Sequence, residues 1–390
     1  MSGHRRFTVT PTGITATAGA AALYAAGVLL GYPTFVGIAV GTLAMLAAGL
    51  LTVAVRPAVT LSRRISPQRL SVGEEATARI TVTNRSRLPA LPFTAVDRVG
   101  ERDLTIPVPP LAAGAERELT CPVPAHRRGR LRLGPLTVLR RDPFGLFVWA
   151  ERQAADGTLW VHPRVHPLPA LPVGTVLDYE GRSTDTPRLG TVTFTSLRDY
   201  VPGDDPRRIH WKSTARVGTL IVKEHVDTTE PTTTVVLDTG STDPALFEHA
   251  VEVAASVARA VEDLGRPVAL RLSGTAAQEP TDAVSTMDRL ALATASGTRT
   301  DPAQLLNTIN RARPGGALVV VTGPVEPGTL GRLADQRRRF SPVVVASVVP
   351  DAQAGPHLRR RPGLALLTGG TATELVAVWH QLIRGEAGEA

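Results

Sequence analysis

The chain has one cysteine, Cys121, in 390 residues, so no disulfide can form within it, and that suits a reducing compartment. Lysine is almost missing as well: of 43 basic residues only Lys212 and Lys223 are lysine, and the formal charge of +8 is carried by arginine. With abundant Ala, Gly and Pro, that skew reads as GC-rich coding, and basicity alone supports no specific nucleic-acid partner. Catalytic signatures are missing too. No Gly-x-Ser-x-Gly, His-Glu-x-x-His or Cys-x-x-Cys occurs, and Gly323 to Gly328 has the spacing of a phosphate loop but is followed by Thr329 where lysine is required. His210 has no activated Ser or Cys beside it, which leaves no nucleophile with a base. No enzyme is expected, and no cofactor.

Charge is absent from two long runs near the N-terminus, Gly13 to Leu30 and Thr34 to Val55, separated by Gly31-Tyr32-Pro33. Each is close to the ~20 residues that cross a bilayer as a helix. The first is Ala- and Gly-rich, whereas the second carries Val36, Ile38, Leu43, Leu46, Leu50 and Val53; together they read as a transmembrane hairpin over residues 13–56. Arg5 and Arg6 precede it, Arg56, Arg63 and Arg64 follow it, and the connection is uncharged. The positive-inside rule then puts both ends, residues 1–12 and the soluble body, in the cytoplasm of a plasma or inner membrane. A second span with no Ala-x-Ala site between the two disfavours a cleaved signal peptide. Gly37, Gly41, Ala44 and Ala48 recur at three- and four-residue spacing and are expected to let the helices pack closely.

Residues 57–162 alternate in short runs, clearest in Ala76 to Thr83, where Ala78, Ile80 and Val82 share one face. Further runs at Val59 to Ile65, Phe93 to Arg98, Leu104 to Val108, Glu116 to Val123, Arg130 to Arg140, Leu146 to Arg152 and Thr158 to Val161 predict a β-sandwich-like domain. Asp142-Pro143-Phe144-Gly145 reads as a tight turn feeding a core strand with Trp149. Pro163 to Pro172 opens an extended connector over 163–195.

The most distinctive stretch spans residues 196–226. Arg198-x-Tyr200-x-x-Gly203-Asp204, then Arg207-x-Ile209-x-Trp211, then Ala215-Arg216 resembles the signature of the domain-of-unknown-function-58 family in order and spacing. That resemblance implies paired N-terminal spans, a β-rich middle and a C-terminal von Willebrand A-like domain, in a bacterial family with no established chemistry. It also implies a partner, a MoxR-type AAA+ ATPase, because genes for such ATPases are commonly neighbours of the family's own. Physically, Asp204 or Asp205 is expected to cap a short helix, Trp211 to anchor it, and these acids to pair with Arg207, Arg208 and Arg216. Lys212 falls in the same block, which is expected either to order itself by those salt bridges or to present a polar docking face.

Residues 227–390 change to an α/β period. Strands are expected at Thr234 to Leu237, Val268 to Leu272, Leu318 to Thr322, Val343 to Val349 and Leu364 to Leu367, with helices at Pro244 to Leu264, around Leu305 to Arg313, around Thr329 to Arg339 and at Glu374 to Arg384. The first strand ends in Asp238-Thr-Gly240-Ser-Thr242, which resembles the metal-ion-dependent adhesion motif Asp-x-Ser-x-Ser of von Willebrand A domains with Gly240 in place of the first Ser. Gly323 stands where that motif supplies a second Asp. Mg²⁺ needs several oxygens in near-octahedral array, so Asp238 and Thr242 form a degenerate site, and Asp238 is expected instead to cap the following helix or meet a partner's cation.

The whole reads as a membrane-anchored adaptor that works with the AAA+ ATPase in chaperone-like or envelope-related work. The alternative is a metal-dependent binding protein or enzyme that uses Asp238.

Overall fold

A computed structural model describes residues 5–54, 58–153, 156–172, 192–201, 209–227, 232–274, 285–299, 301–350 and 355–387. The chain forms two compact units, Met1–His162 and Pro163–Ala390.

The first unit opens with a strand, β1 (Arg5–Val9), followed without a linker by helices α1 (Pro11–Leu30) and α2 (Pro33–Ala54). Both helices are long and apolar enough to cross a membrane. Pro11 fits the first turn of α1, where its missing N–H costs nothing, and the Thr10 hydroxyl accepts from the Gly13 N–H as the N-cap. Gly31, at φ 72°, ends the helix in the left-handed conformation that lets α2 turn back. Gly13, Ala20 and Gly27 are buried on α1, and Ala39, Leu46 and Val53 on α2. Only part of this burial is helix on helix: Gly27 lies against Val36, whereas Gly13 lies under the Leu146 carbonyl, Gly49, also buried, lies beside Asp142 and Phe147, and Leu46 and Val53 belong to the core of the strands. A methyl group on Gly27 would lie 2.7 Å from Val36 Cγ2, so only glycine permits this approach. Gly37, Gly41, Ala44 and Ala48 are exposed, so the small residues expected at the interface lie outside it. Their three- and four-residue spacing places them on a different helical face from Ala39, Leu46 and Val53.

The remaining strands of this unit are β2 (Val59–Ser66), β3 (Arg69–Ser71), β4 (Glu75–Asn84), β5 (Phe93–Val99), β6 (Arg102–Val108), β7 (Glu116–Pro124), β8 (Gly129–Arg141), β9 (Phe147–Gln153) and β10 (Gly157–His162). They build a three-stranded sheet in the order β2-β4-β7 and a seven-stranded sheet in which β8 pairs with β5, β9 and β10, and β1 adds to the edge of β9. Strict alternation along β4 buries Ala76, Ala78, Ile80 and Val82. Ile80 and Val82 meet Ala95, Leu136 and Val138 of the other sheet in one apolar cluster, which also takes in Leu46 and Val53 of α2. The end of the hairpin is therefore part of this core. Arg63 on β2 and Asp97 on β5 form an ion pair across the two sheets, with side chains 2% and 1% exposed.

In the second unit a hairpin of β11 (Val192–Asp199) and β12 (Ile221–Asp227) encloses helix α3 (Trp211–Val217). After it come β13 (Thr233–Asp238), α4 (Pro244–Glu262), β14 (Val268–Ser273), α5 (Thr286–Leu292), α6 (Pro302–Asn310), β15 (Leu318–Thr322), α7 (Pro327–Ala334), β16 (Val343–Val348), β17 (His357–Arg361), β18 (Leu364–Gly369) and α8 (Ala372–Ala387). Their sheet runs β14-β13-β15-β16-β18-β17, parallel except for β17 at the edge. Each residue of β13, β15 and β16 is buried because helices cover both faces. Val235 and Leu237 pack with α4 and α8 residues on one side, and Val236 packs with Leu305, Ile309 and Leu330 on the other. Trp379 of α8 is buried, and its indole N–H donates to the Pro169 carbonyl at 2.9 Å, which pins the proline-rich stretch to this unit.

Candidate functional site

Two places in the second unit carry the candidate residues. The first is the hairpin around α3. Arg198 sits on β11 opposite Val222, and the Tyr200 N–H donates to the Leu220 carbonyl at 2.8 Å. Ile209, Ile221 and Val222 are buried, and the His210 N–H donates to Ile221 at 2.7 Å. These contacts hold α3 in place. Its N-cap is His210, whose Nδ1 accepts from the Ser213 N–H at 3.3 Å and lies 2.7 Å from the Ser213 hydroxyl. The cap of α3 is therefore an imidazole, and the capping expected of Asp204 or Asp205 lies outside the described residues. Gly203, Asp204, Asp205, Arg207 and Arg208 lie outside the described residues, and so does the salt-bridge network expected of them.

Trp211 does not anchor the helix inward: it is 66% exposed, and the buried anchor is Ile209, two residues earlier. Lys212 and Arg216, one helical turn apart, are exposed as well, with Val217 and Leu220 beside them in sequence. A tryptophan, two cations and two aliphatic side chains are thus exposed within ten residues. Chemically they can offer stacking, an apolar contact and two donors to a carboxylate-bearing partner.

The second place is a cleft of ≈ 770 Å³ at the carboxyl ends of β13 and β15. Here β13 has β14 on one side and β15 on the other, so the connections leave in opposite directions and open a crevice. Asp238 and Thr242 both line it, with Phe247, Leu305, Pro324 and Arg299. Asp238 is 4% exposed, and its carboxylate is held on three sides. Oδ1 accepts from the Ser273 hydroxyl at 2.6 Å and the Gly240 N–H at 3.0 Å, and Oδ2 from the Thr322 hydroxyl at 2.7 Å. The cap of α4 is Asp243, whose Oδ1 accepts from the Ala245 N–H at 2.8 Å, so Asp238 does not take that role.

Thr242 is exposed at the rim. Among the described residues no three His, Cys, Asp or Glu side chains come together as a metal site. For Mg²⁺ the donor set fits poorly: one carboxylate, already turned toward two hydroxyls and an amide, and one exposed threonine. Ser273 and Thr322 were not legible as partners of Asp238, because a hydroxyl at the end of an apolar strand belongs to no motif. None of the described residues of 196–226 is among those that line the cleft.

Burial, and then the charge of Asp97, push the Cys121 thiol up, and burial pulls the Arg140 guanidinium down.

Residues 196–348 match the family described as "Protein of unknown function DUF58", which supports the resemblance over that stretch. No curated protein matches the chain. Among solved structures, the CARDB domain of a Pyrococcus furiosus protein in complex with di-metal ions is similar at 14% identity over 27% of this chain and 88% of that one, with a TM-score of 0.21. The Pseudomonas fluorescens alkylpurine DNA glycosylase AlkC bound to DNA shares 15% identity over 34% of this chain and 40% of its own, at 0.21. The putative ApaA protein from Bordetella pertussis shares 16% over 27% and 94%, at 0.20. Likenesses this low assign neither a fold nor an activity.

Proposed function

We propose that this chain is a membrane-anchored interaction protein that docks a MoxR-type AAA+ ATPase through the exposed face of α3, in chaperone-like or envelope-related work. In this reading α1 and α2 cross the membrane as a hairpin with both ends cytoplasmic, and the second unit is a von Willebrand A-like domain put to binding. The observation that carries it is Trp211, 66% exposed beside Lys212 and Arg216 on a helix whose backbone is firmly tied. Interfaces draw their binding energy from a few such aromatic and arginine anchors. The domain assignment is supported by the sheet order, with the first strand interior and a crevice at its carboxyl end, and by the Asp238 motif.

The competing reading, metal-dependent binding or catalysis at Asp238, is favoured by the cleft that Asp238 and Thr242 line. Against it stand the three donors already satisfied by that carboxylate.

The test is affinity capture with the full-length protein in detergent, using host cytosol with ATP, ADP or no nucleotide. Recovery of an AAA+ ATPase that falls at least tenfold with Trp211→Ala supports the reading. Recovery of none under any nucleotide condition refutes it.

A further inference from the structure

The first unit exposes few large apolar side chains on its strands and loops, and they are not scattered. Among the described residues of 5–9 and 58–162 they are Phe7, Val9, Leu88, Leu91 and Phe144. Each belongs to a segment bonded to a residue within a few positions of a helix end. Phe7 and Val9 are on β1, which runs into α1 through Thr10. Phe144 is in the turn between β8 and β9, and the Thr10 hydroxyl donates to the Gly145 carbonyl of that turn at 2.7 Å. Leu88 and Leu91 follow Asn84 and Arg85, and the Arg85 N–H donates to Ala58, just past the end of α2, at 2.8 Å. The Leu88 carbonyl accepts from the Asn84 side chain at 3.0 Å, which keeps that loop at the same end.

Depth follows from covalent geometry. At ~1.5 Å per residue, the helix Pro11–Leu30 is about 30 Å long, the thickness of a bilayer's hydrocarbon core. Gly13 lies under the Leu146 carbonyl, so the first turn of α1 is covered by the body and Thr10 stands on the outer side of the hydrocarbon boundary. Phe7, three residues away in extended chain, is at most ~10 Å further out, and the interfacial layer on each side is roughly 5–8 Å thick. On the other helix, the Asp142 carboxylate of the Phe144 turn lies beside Gly49, 3.2 Å from where a Cβ would stand, more than a turn before α2 ends. Asp142 itself is buried and accepts the Phe144 and Phe147 N–H groups, so the turn is rigid. Arg6, Arg85 and Arg141 are exposed on the same segments, and Glu116, opposite Thr83, is an exposed acid at that end.

We infer that this end of the first unit is a membrane-contacting surface: Phe7, Val9, Leu88, Leu91 and Phe144 sit in the lipid interface, and Arg6, Arg85 and Arg141 meet headgroup phosphates. The inference rests on the proposed crossing of α1 and α2 and deepens it. The body is seated on the bilayer by side chains as well as tethered to it, because aromatic and arginine side chains are the ones that favour this layer.

The test places a nitroxide, one site at a time, at Phe144→Cys, Leu88→Cys, Ile38→Cys and Glu101→Cys in full-length protein carrying Cys121→Ser, in nanodiscs containing phosphatidylglycerol. Ile38 reports the span, and Glu101, in the turn between β5 and β6, reports water. Collisions with oxygen and with a nickel chelate are compared. At 144 and 88 the nickel collision rate is expected at least threefold below that at 101, with oxygen retained and a depth between 38 and 101. Nickel access at 144 and 88 equal to that at 101, with 38 still in lipid, overturns the inference and leaves the crossing standing. Shielding from both reagents at 144 and 88 assigns the surface to a protein contact and also overturns it. A nickel-accessible label at 38 overturns the crossing itself. Positions 144 and 88 are half or more exposed, so substitution there does not threaten folding.

Discussion

Asp238 is where the adaptor and metal readings diverge most sharply, and Asp238→Ala separates them. In the structure this carboxylate binds the Ser273 hydroxyl, the Gly240 N–H and the Thr322 hydroxyl at 2.6, 3.0 and 2.7 Å. Hydrogen bonds to a charged group contribute about 1.5–3 kcal/mol each, and losing the acceptor strands buried donors. Ser273 and Thr322 are 2% and 0% exposed, so both hydroxyls lose a buried acceptor. The three bonds share one group and are not additive, which puts the loss at about 3–5 kcal/mol. At ~2–4 °C per kcal/mol for a unit of this size, the melting transition of the α/β unit falls by roughly 10 °C.

The assay is thermal unfolding of the full-length protein in detergent, followed by circular dichroism, with and without Mg²⁺, Mn²⁺ and Ca²⁺. A metal at one hundred times its Kd stabilises by ~2.7 kcal/mol, roughly 5–10 °C, whereas the structural reading predicts no shift. A metal-dependent rise of several degrees that Asp238→Ala abolishes refutes the reasoning, and so does Asp238→Ala with an unchanged transition.

Trp211→Ala and Arg216→Glu lie on the exposed face of α3 and should leave melting within about 1 °C of the parent, yet weaken capture of the ATPase tenfold or more, at ~1.4 kcal/mol per decade. Asp97→Ala removes the buried carboxylate that pairs with Arg63 and should destabilise the first unit by about 2–4 kcal/mol, read by urea unfolding. Cys121, its thiol pushed up first by burial and then by Asp97, should alkylate with iodoacetamide at pH 8 several-fold more slowly in the folded protein than in urea. The sign for stability follows. A thiol raised in the folded state adds stability that is fully present below the ordinary thiol value and is lost as pH climbs from there through the raised folded value, so alkaline unfolding should set in earlier than for Cys121→Ser. Gly27→Leu, with Val36 in the way, should disrupt the α1–α2 seam and lower the yield of folded protein from membranes.

Much of the fold was legible because burial is periodic. The alternation along β4 and the unbroken apolar runs of β13, β15 and β16 gave their strands to within about two residues, since one buried face or two leaves no other pattern open. β17 escaped because His357–Arg361 presents three exposed arginines and joins the sheet only as an edge, where charge is the usual protection. β1 escaped for the opposite reason: five residues ahead of a helix become a strand only by pairing with β9, about 140 residues on. In the hairpin the small residues of α2 were conspicuous, but the close approach is Gly27 of α1 against Val36, and Leu46, Gly49 and Val53 are buried by strands distant in sequence.

At the candidate sites, spacing pointed to Asp238, Thr242 and the block 196–226 without giving their environments. The cap at His210, the outward Trp211 and the Ser273–Asp238–Thr322 linkage depend on neighbours that are distant in sequence or belong to no motif.

Photo-crosslinking from the intact protein in its own membranes tests the central claim most directly, with the probe installed in turn at Trp211, Arg216 and Thr242. The account predicts a nucleotide-dependent adduct with an AAA+ ATPase from 211 and 216 and none from 242. An adduct from 242 alone, or no AAA+ adduct at any of the three, contradicts it.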